Sequence, residues 1–500
     1  MALTFQHVSF GFETSPEMLF TDITIHFSTG WTGVVGANGT GKTTILRLAY
    51  GELEPQQGQI RTAGQVVYCP QRTDEAPFDF AEFLTATDAE ACVLRGRLGI
   101  LPEWESRWET LSHGERKRAQ IAVALWQQPV VLAIDEPTNH IDRDARLMLA
   151  EALRTFAGVG LLVSHDRELL DTLCDQCLFI EPPSVVMRPG GYSAAAEQAR
   201  VDEEHLRKER ASAKRAYQNI RTEAVTRQQT SKANLKTTKR GLARGDSDGR
   251  GKINLLRISG KDGKAGRLAD QLDGRLHQAQ EALDKIHVNK TYRLGFWLPG
   301  ACSKRDFLFS LRAGTLDLGD GRRLHFPELT MAPQDRIALT GANGSGKSSL
   351  LRHLLPQLNL PPERVVYLPQ EIEAATARGI MAEVRALSDA DYGHLMTIVS
   401  GLGSRPHRLI SSDEPSPGEI RKLLLALGVA RSPHLIIMDE PTNHLDLPAI
   451  ECLEAALEEC PCGLLLVSHD LRFLQRLTTV RWDIAQEVGG SDTRLSVGTT

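Results

Sequence analysis

Apolar and polar positions follow distinct rhythms along this chain. TFQHVSFGF at residues 4–12 and ITIHF at 23–27 alternate in the manner of antiparallel strands. Uninterrupted apolar runs, GVV at 33–35, VVLAI at 130–134, IAL at 337–339 and LIIM at 435–438, have strand length and predict buried strands. Helical spacing comes next. TILRL at 44–48 and SLLRHLL at 349–355 open as helices after glycine-rich turns, and LSHGERKRAQIAVAL at 111–125 sets Ile121, Ala124 and Leu125 on one face. The mixture predicts an α/β protein. Residues 193–240 are rich in Ala, Glu, Lys, Arg and Gln without Pro or Gly, which predicts one long helix. GLARGDSDGRGK at 241–252 breaks that pattern as a tip loop, and a second helix is expected over about 267–286. No apolar run approaches the roughly 20 residues of a membrane span.

The two ends of the chain repeat each other. Lys42, Gln71, Ser112, Asp135 and His165 recur as Lys347, Gln370, Ser416, Asp439 and His469, at offsets of 305, 299, 304, 304 and 304 residues. In both copies the step from Ser to Asp is 23 and from Asp to His is 30. Two copies of one domain with a long insert explain this. The expected organisation is a first domain over 1–192, a linker over 193–300 and a second domain over 301–500, which suits a chain of 500 residues.

Each copy carries the same chemistry in the same order. GANGTGKT at 36–43 and GANGSGKS at 341–348 fit the pattern G-x-x-x-x-G-K-[ST]. Glycines let backbone N–H groups turn inward around phosphates, Lys42 and Lys347 reach the β/γ-phosphates, and the hydroxyls of Thr43 and Ser348 ligate Mg²⁺. One match alone reads equally as a glycine-rich turn; two, each followed by the same series, do not. VVYCPQ and VVYLPQ end at Gln71 and Gln370, which can reach the metal and the attacking water. Buried strands then end in carboxylate pairs. Asp135 and Asp439 are placed to hold Mg²⁺ through water, and Glu136 and Glu440 to orient and deprotonate the attacking water. GLLVSHD and GLLLVSHD deliver His165 and His469 toward the γ-phosphate. Ser112 with Gly114 opens a second anion-binding helix start; taken alone, Ser112 and Glu115 form a capping box. Phe12 suits either stacking on an adenine face or packing as an edge aromatic.

Composition narrows the function classes. Hydrophobic content of 41% and charge of 24% are those of a soluble globular protein. The net charge of −5 hides an asymmetry. Residues 205–267 hold 18 Lys and Arg against 5 Asp and Glu, a local +13 that leaves about −18 for the remainder. A coiled coil of mixed sign would be nearer neutral, so this balance favours RNA. With few aromatics, two antiparallel helices of this composition would bind phosphate backbone rather than stack on bases. The start, MALTFQHVSF, lacks the basic and apolar regions of a signal peptide. Eight scattered cysteines without a zinc-spaced second pair read as reduced cytosolic thiols.

Over both copies the chain resembles the ATP-binding cassette ATPases, with Walker A, Q-loop, LSxGE-type signature, Walker B with its glutamate, D-loop and switch histidine. The resemblance implies that ATP and Mg²⁺ bind at Gly36, Ala37, Asn38, Gly39, Thr40, Gly41, Lys42, Thr43 and Thr44, and at Gly341, Ala342, Asn343, Gly344, Ser345, Gly346, Lys347, Ser348 and Ser349. It also implies head-to-tail pairing, so that Lys42 shares a site with Ser416 and Gly418, and Lys347 with Ser112 and Gly114. EPTNHxD at 136–142 and 440–446, Glu115 and Glu419 after the signatures, GGYS at 190–193 and the absence of membrane spans look like the ABC-F branch. That branch implies a cytoplasmic monomer acting on the ribosome, reaching rRNA and the P-site tRNA through its linker. Its role is that of a translation factor or of an antibiotic-resistance protection factor.

Some features depart from that pattern. Between Gln71 and Leu111 there is no room for the added arm of some ABC-F members, and no basic coiled coil follows the second copy. The second signature reads PSPGE, and Pro417 has no N–H, so a poorer phosphate cradle and a slower Lys42 site are expected. The second adenine position falls near 316–318 with no aromatic. Energising a membrane transporter built from separate subunits is the alternative, for which a short connector without a basic hairpin is expected. Chromosome-maintenance cassette proteins need far longer coiled coils. Iron–sulfur recycling factors need an N-terminal cysteine-rich domain, whereas the first 100 residues hold only Cys69 and Cys92.

Overall fold

The computed structural model describes residues 3–13, 17–139, 141–240, 271, 274–284, 300–319, 321–402, 416–443, 445–487 and 492–499. The chain divides into two compact units, Met1–Ala195 with Tyr292–Thr500, and Ala196–Thr291. The first unit contains both copies of the repeat.

In the first copy the alternating stretches become Leu3–Phe10 and Phe20–Phe27, antiparallel to each other, with Gln57–Arg61 on the other side of Leu3–Phe10. Leu3, Phe5, Ile23, Ile25 and Phe27 are buried while Thr24 and His26 point to solvent. The uninterrupted runs form the second sheet, in the order Val66–Cys69, Val131–Asp135, Val159–Val163, Gly30–Val35, Cys174–Glu181, Ser184–Pro189. All its pairings are parallel except the last. Every residue of Val131–Asp135 and Val159–Val163 is buried, as a parallel strand covered on both faces requires. The helix Lys42–Tyr50 lies between the two sheets, its Ile45, Leu46 and Leu48 packed with Phe5, Ile25, Val131 and Leu161.

The second copy repeats the parallel core but arranges its antiparallel strands differently, with Phe309–Leu311 and Leu329–Met331 paired as a separate ribbon. Arg336–Gly341, Gly463–Val467, Leu435–Asp439 and Val365–Leu368 form the same parallel array, with Val480–Gln486 beside Arg336–Gly341. Thr493–Thr499 then pairs antiparallel with Val480–Gln486 and, over two residues, parallel with Arg322–Phe326. That strand fuses the antiparallel layer to the main sheet, making eight strands in one. A helical layer, Ala374–Arg385, Asp389–Gly401 and Pro417–Ala430, packs through Ile380, Val384, Leu395, Val399 and Leu423.

The predicted long helix runs over Tyr192–Arg240, one residue earlier than its composition suggests. Exposed pairs Arg200–Glu197, Arg200–Glu204 and Arg207–Glu203 lie along it at helical spacing. Of the second linker helix, residues 274–284 are helical. The tip loop at 241–252 and the Pro415 position of the second signature lie outside the described residues.

Candidate nucleotide sites between the two cassettes

In an open α/β sheet, chemistry collects at the carboxyl ends of the parallel strands. Here the phosphate loop follows Gly30–Val35, Gln71 follows Val66–Cys69, Asp135 ends its strand and His165 follows Val159–Val163. The second copy places Gly341, Gln370, Asp439 and His469 identically. Gly41 and Gly346 sit at φ 97° and 104°, a left-handed turn that starts the helix and aims its first N–H groups into the loop. A Cβ at Gly41 would lie 2.7 Å from the Phe20 ring, and one at Gly346 would lie 2.8 Å from Leu318, so nothing larger fits.

Inside each loop the lysine arches over the backbone. Lys42 Nζ donates to the carbonyls of Gly36 (2.9 Å) and Ala37 (3.1 Å), and Lys347 Nζ to those of Gly341 (2.8 Å) and Ala342 (2.9 Å). Burial holds both ammonium groups below their ordinary pKa. Thr43 Oγ1 donates to Asp135 Oδ2 at 2.7 Å, and Ser348 Oγ to Asp439 Oδ2 at 2.7 Å. Each pair presents the hard oxygens that Mg²⁺ prefers. Gln71 and Gln370 are both exposed, and Gln370 lines the cavity over the second loop.

The glutamates after Walker B are strongly perturbed. Both are buried and both have positive φ, 46° at Glu136 and 50° at Glu440, a conformation that a non-glycine residue takes only where its surroundings enforce it. Their N–H groups bond to Val163 and Val467 at 2.9 and 2.8 Å, holding the turn. Burial pushes the Glu136 carboxyl up to about 8, against Lys42. Burial also raises Glu440, to about 7, with Lys347 and Arg146 pulling the other way. His165 Nε2 lies 3.0 Å from Glu136 Oε1, and His469 Nε2 lies 3.5 Å from Glu440 Oε1 and 3.1 Å from Asn343 Oδ1. Burial and the charges of Lys347 and Arg146 push His469 down to about 3, leaving it neutral. A carboxylate poised near neutrality is suited to taking a proton from water.

The signature serines do not line this cavity. Ser112 caps His113–Trp126, accepting from Glu115 N at 3.3 Å while Ser112 N donates to Glu115 Oε2 at 2.8 Å. Ser416 caps Pro417–Ala430 through the same box, with Glu419 N at 3.4 Å, and Pro417 takes the first helical position, where proline is well tolerated. Gly114 and Gly418 follow within the first turns. Phe12 is exposed and packs edge-on against Phe10 at 5.1 Å, whereas Leu318 lines the second cavity.

What meets each loop across the cassettes is the segment after Walker B. Asn38 N donates to Asp446 Oδ2 at 2.7 Å. Reciprocally, Ile141 and Arg146 line a cavity of about 370 Å³ over Lys347, Ser348, Asp439, Glu440 and His469. Behind these residues Arg167 bonds Glu454 (3.1 Å) and Asp470 (3.0 Å), and Arg472 bonds Ser193 Oγ (2.7 Å) and pairs with Asp171 (2.6 Å). Tyr192 O–H donates to Glu451 at 2.6 Å.

Sequence reasoning passed over another pair. Lys117 Nζ, fully buried, donates to the carbonyls of Pro70 (2.6 Å) and Asp135 (3.2 Å), joining the Q-loop strand to Walker B; burial lowers it to about 8. Arg421, 304 positions on, donates to the carbonyls of Asp439 (2.8 Å) and Glu440 (2.9 Å). A cation repeated at one register inside an apolar helix face was the available signal.

The family profile described as "ABC transporter" matches residues 20–139 and 324–443. Among described residues, no helix is long and apolar enough to cross a membrane. The tylosin resistance ATP-binding protein TlrC of Streptomyces fradiae is 30% identical over 526 residues, spanning 91% of this chain and 92% of that protein. The ribosome protection protein VmlR of Bacillus subtilis (strain 168) is 28% identical over 465 residues, spanning 89% of this chain and 80% of that protein. An archaeal ribosome recycling factor, solved in complex with an archaeal ribosomal stalk protein, shares the fold at a TM-score of 0.64 and 18% identity, covering 98% of this chain and 89% of that one. With its duplicated phosphate loops, crossed Walker B segments and helical insert, the chain belongs to the ABC-F family of ATP-binding cassette ATPases.

Proposed function

We propose that this protein hydrolyses ATP to ADP and phosphate at two sites between its cassettes and uses their closure to act on the ribosome through its basic linker. The observation that carries this reading is the crossing of the cassettes: each phosphate loop is met by the post-Walker B segment of the other copy, through Asp446 at Asn38 and through Ile141 and Arg146 over Lys347. A site shared in this way is completed by docking, so nucleotide and closure favour one another.

The residues present fit the nucleotide and its metal. Residues 36–44 and 341–349 would hold the phosphates through backbone N–H groups, with Lys42 and Lys347 on the β/γ oxygens. Thr43, Asp135 and Gln71, and Ser348, Asp439 and Gln370, would hold Mg²⁺, which when bound neutralises charge developing on the phosphates. Glu136 and Glu440 orient a water in line with the γ-phosphate and take its proton at a carboxylate oxygen. His165 and His469 face the same γ position. Ser112 with Gly114, and Ser416 with Gly418, approach the opposite loop on fuller closure, and Phe12 offers an aromatic face to the base.

We place the boundaries at 1–192, 193–300 and 301–500, with the protein a cytoplasmic monomer. Its linker's charge of +13 over 205–267 favours a phosphate backbone, and we assign it rRNA and the P-site tRNA. The names of the relatives, a ribosome protection protein and a tylosin resistance protein, support a protection role alongside that of a translation factor. The test is the double variant Glu136→Gln with Glu440→Gln, which keeps ATP and the closed state. It should co-sediment with ribosomes in ATP; recovery with membranes, and no ribosome binding, would sink the reading. Expressing the protein and measuring growth against antibiotics of the peptidyl-transferase region separates protection from a general translation role.

A further inference from the structure

The repeat breaks at a position that the two composite sites do not share. Residue 146, on the helix Arg143–Leu153, is Arg, and its counterpart 304 residues on is Ile450, packed in the core of the second cassette. Arg146 reaches out of its own cassette. It lines the cavity above the Lys347 loop, and its Nη1 donates to the backbone carbonyl of His469 at 3.2 Å. The same nitrogen stays tied at home, 3.3 Å from Asp166 Oδ2. Held between a carboxylate of one cassette and a carbonyl of the other, a guanidinium has fork geometry left over for phosphate oxygens.

Among the described residues, the other site receives nothing equivalent. The Lys42 loop accepts the Asp446 carboxylate at Asn38 N, and the helix that follows it, Leu447–Glu458, contains no Lys or Arg. We propose that Arg146 is a positioning residue supplied in trans to the Lys347 site. By this proposal it fixes the switch-histidine segment of the second cassette and draws the triphosphate into that loop, and no described residue supplies a reciprocal cation to the Lys42 site. The second site then senses the first cassette by charge, while the first senses the second through a carboxylate alone. The inference rests on the ATPase reading above.

The test uses the full chain with one phosphate loop disabled at a time. Lys42→Ala leaves the Lys347 site, and Lys347→Ala leaves the Lys42 site; binding of a non-hydrolysable ATP analogue with Mg²⁺ is measured by calorimetry. In the first background, Arg146→Ala should weaken binding on the order of tenfold, and Arg146→Lys should restore part of it. In the second background, Arg146→Ala should leave affinity within about twofold. Equal losses in both backgrounds, or no loss in the first, overturn the proposal. Should Arg146→Ala melt early, Arg146→Gln, which keeps the aliphatic stem and an amide donor without the charge, must show the same selective loss. Failure of the Lys42→Ala chain to bind any nucleotide is the outcome that counts against the ATPase reading itself.

Discussion

A base that must take a proton from water near neutral pH works best when its own pKa lies there, and burial brings Glu136 and Glu440 to about 8 and about 7. The two are not equivalent, since Arg146 adds positive charge only beside Glu440. Glu440→Gln is therefore expected to lower steady-state ATP turnover by about 10²-fold, the lower end for losing a general base, and Glu136→Gln by much less. Equal losses measured side by side would count against unequal sites. Each glutamate was legible as the second acid after a buried strand. Its left-handed backbone was not, because φ there is imposed by the bonds to Val163 and Val467, which belong to neighbouring strands. Arg146 was illegible for a similar reason: in sequence it is an ordinary helix residue, and its meaning comes from a cavity in the other half of the chain.

At the scale of elements, the two signature helices begin alike. Both have complete capping boxes, so Pro417 does not distort the start; it removes one N–H that His113 supplies in the first copy. Restoring that donor by Pro417→His should strengthen the Lys42 site by about 1 kcal/mol, roughly fivefold. The measurement is residual ATPase in the Glu440→Gln chain, where only that site retains its glutamate. Unchanged turnover would place the inequality elsewhere. The strands were readable because alternation and continuous runs report directly on whether one face or two are covered. The fusion of the second copy's layers through Thr493–Thr499 was not, since it pairs Leu324 with Thr493, a contact between segments far apart in the chain that no local pattern reports.

For the molecule as a whole, affinity for a polyanion should scale with the linker's charge. Replacing the seven Lys and Arg between positions 232 and 252 by Gln is expected to weaken ribosome binding and flatten its salt dependence. The log–log slope should fall by up to about 0.7–0.9 for each phosphate that is no longer neutralised. Sedimentation at stepped salt would read this directly; an unaltered slope would remove the linker from the interface. One consequence follows from how the long helix is rooted. Tyr192 and Ser193, its first two residues, are bonded to Glu451 and Arg472 of one cassette and to Asp171 of the other. The helix of 49 residues, at about 1.5 Å per residue, is about 70 Å long. Any slip between the cassettes must therefore break or remake bonds at the first turn of this helix.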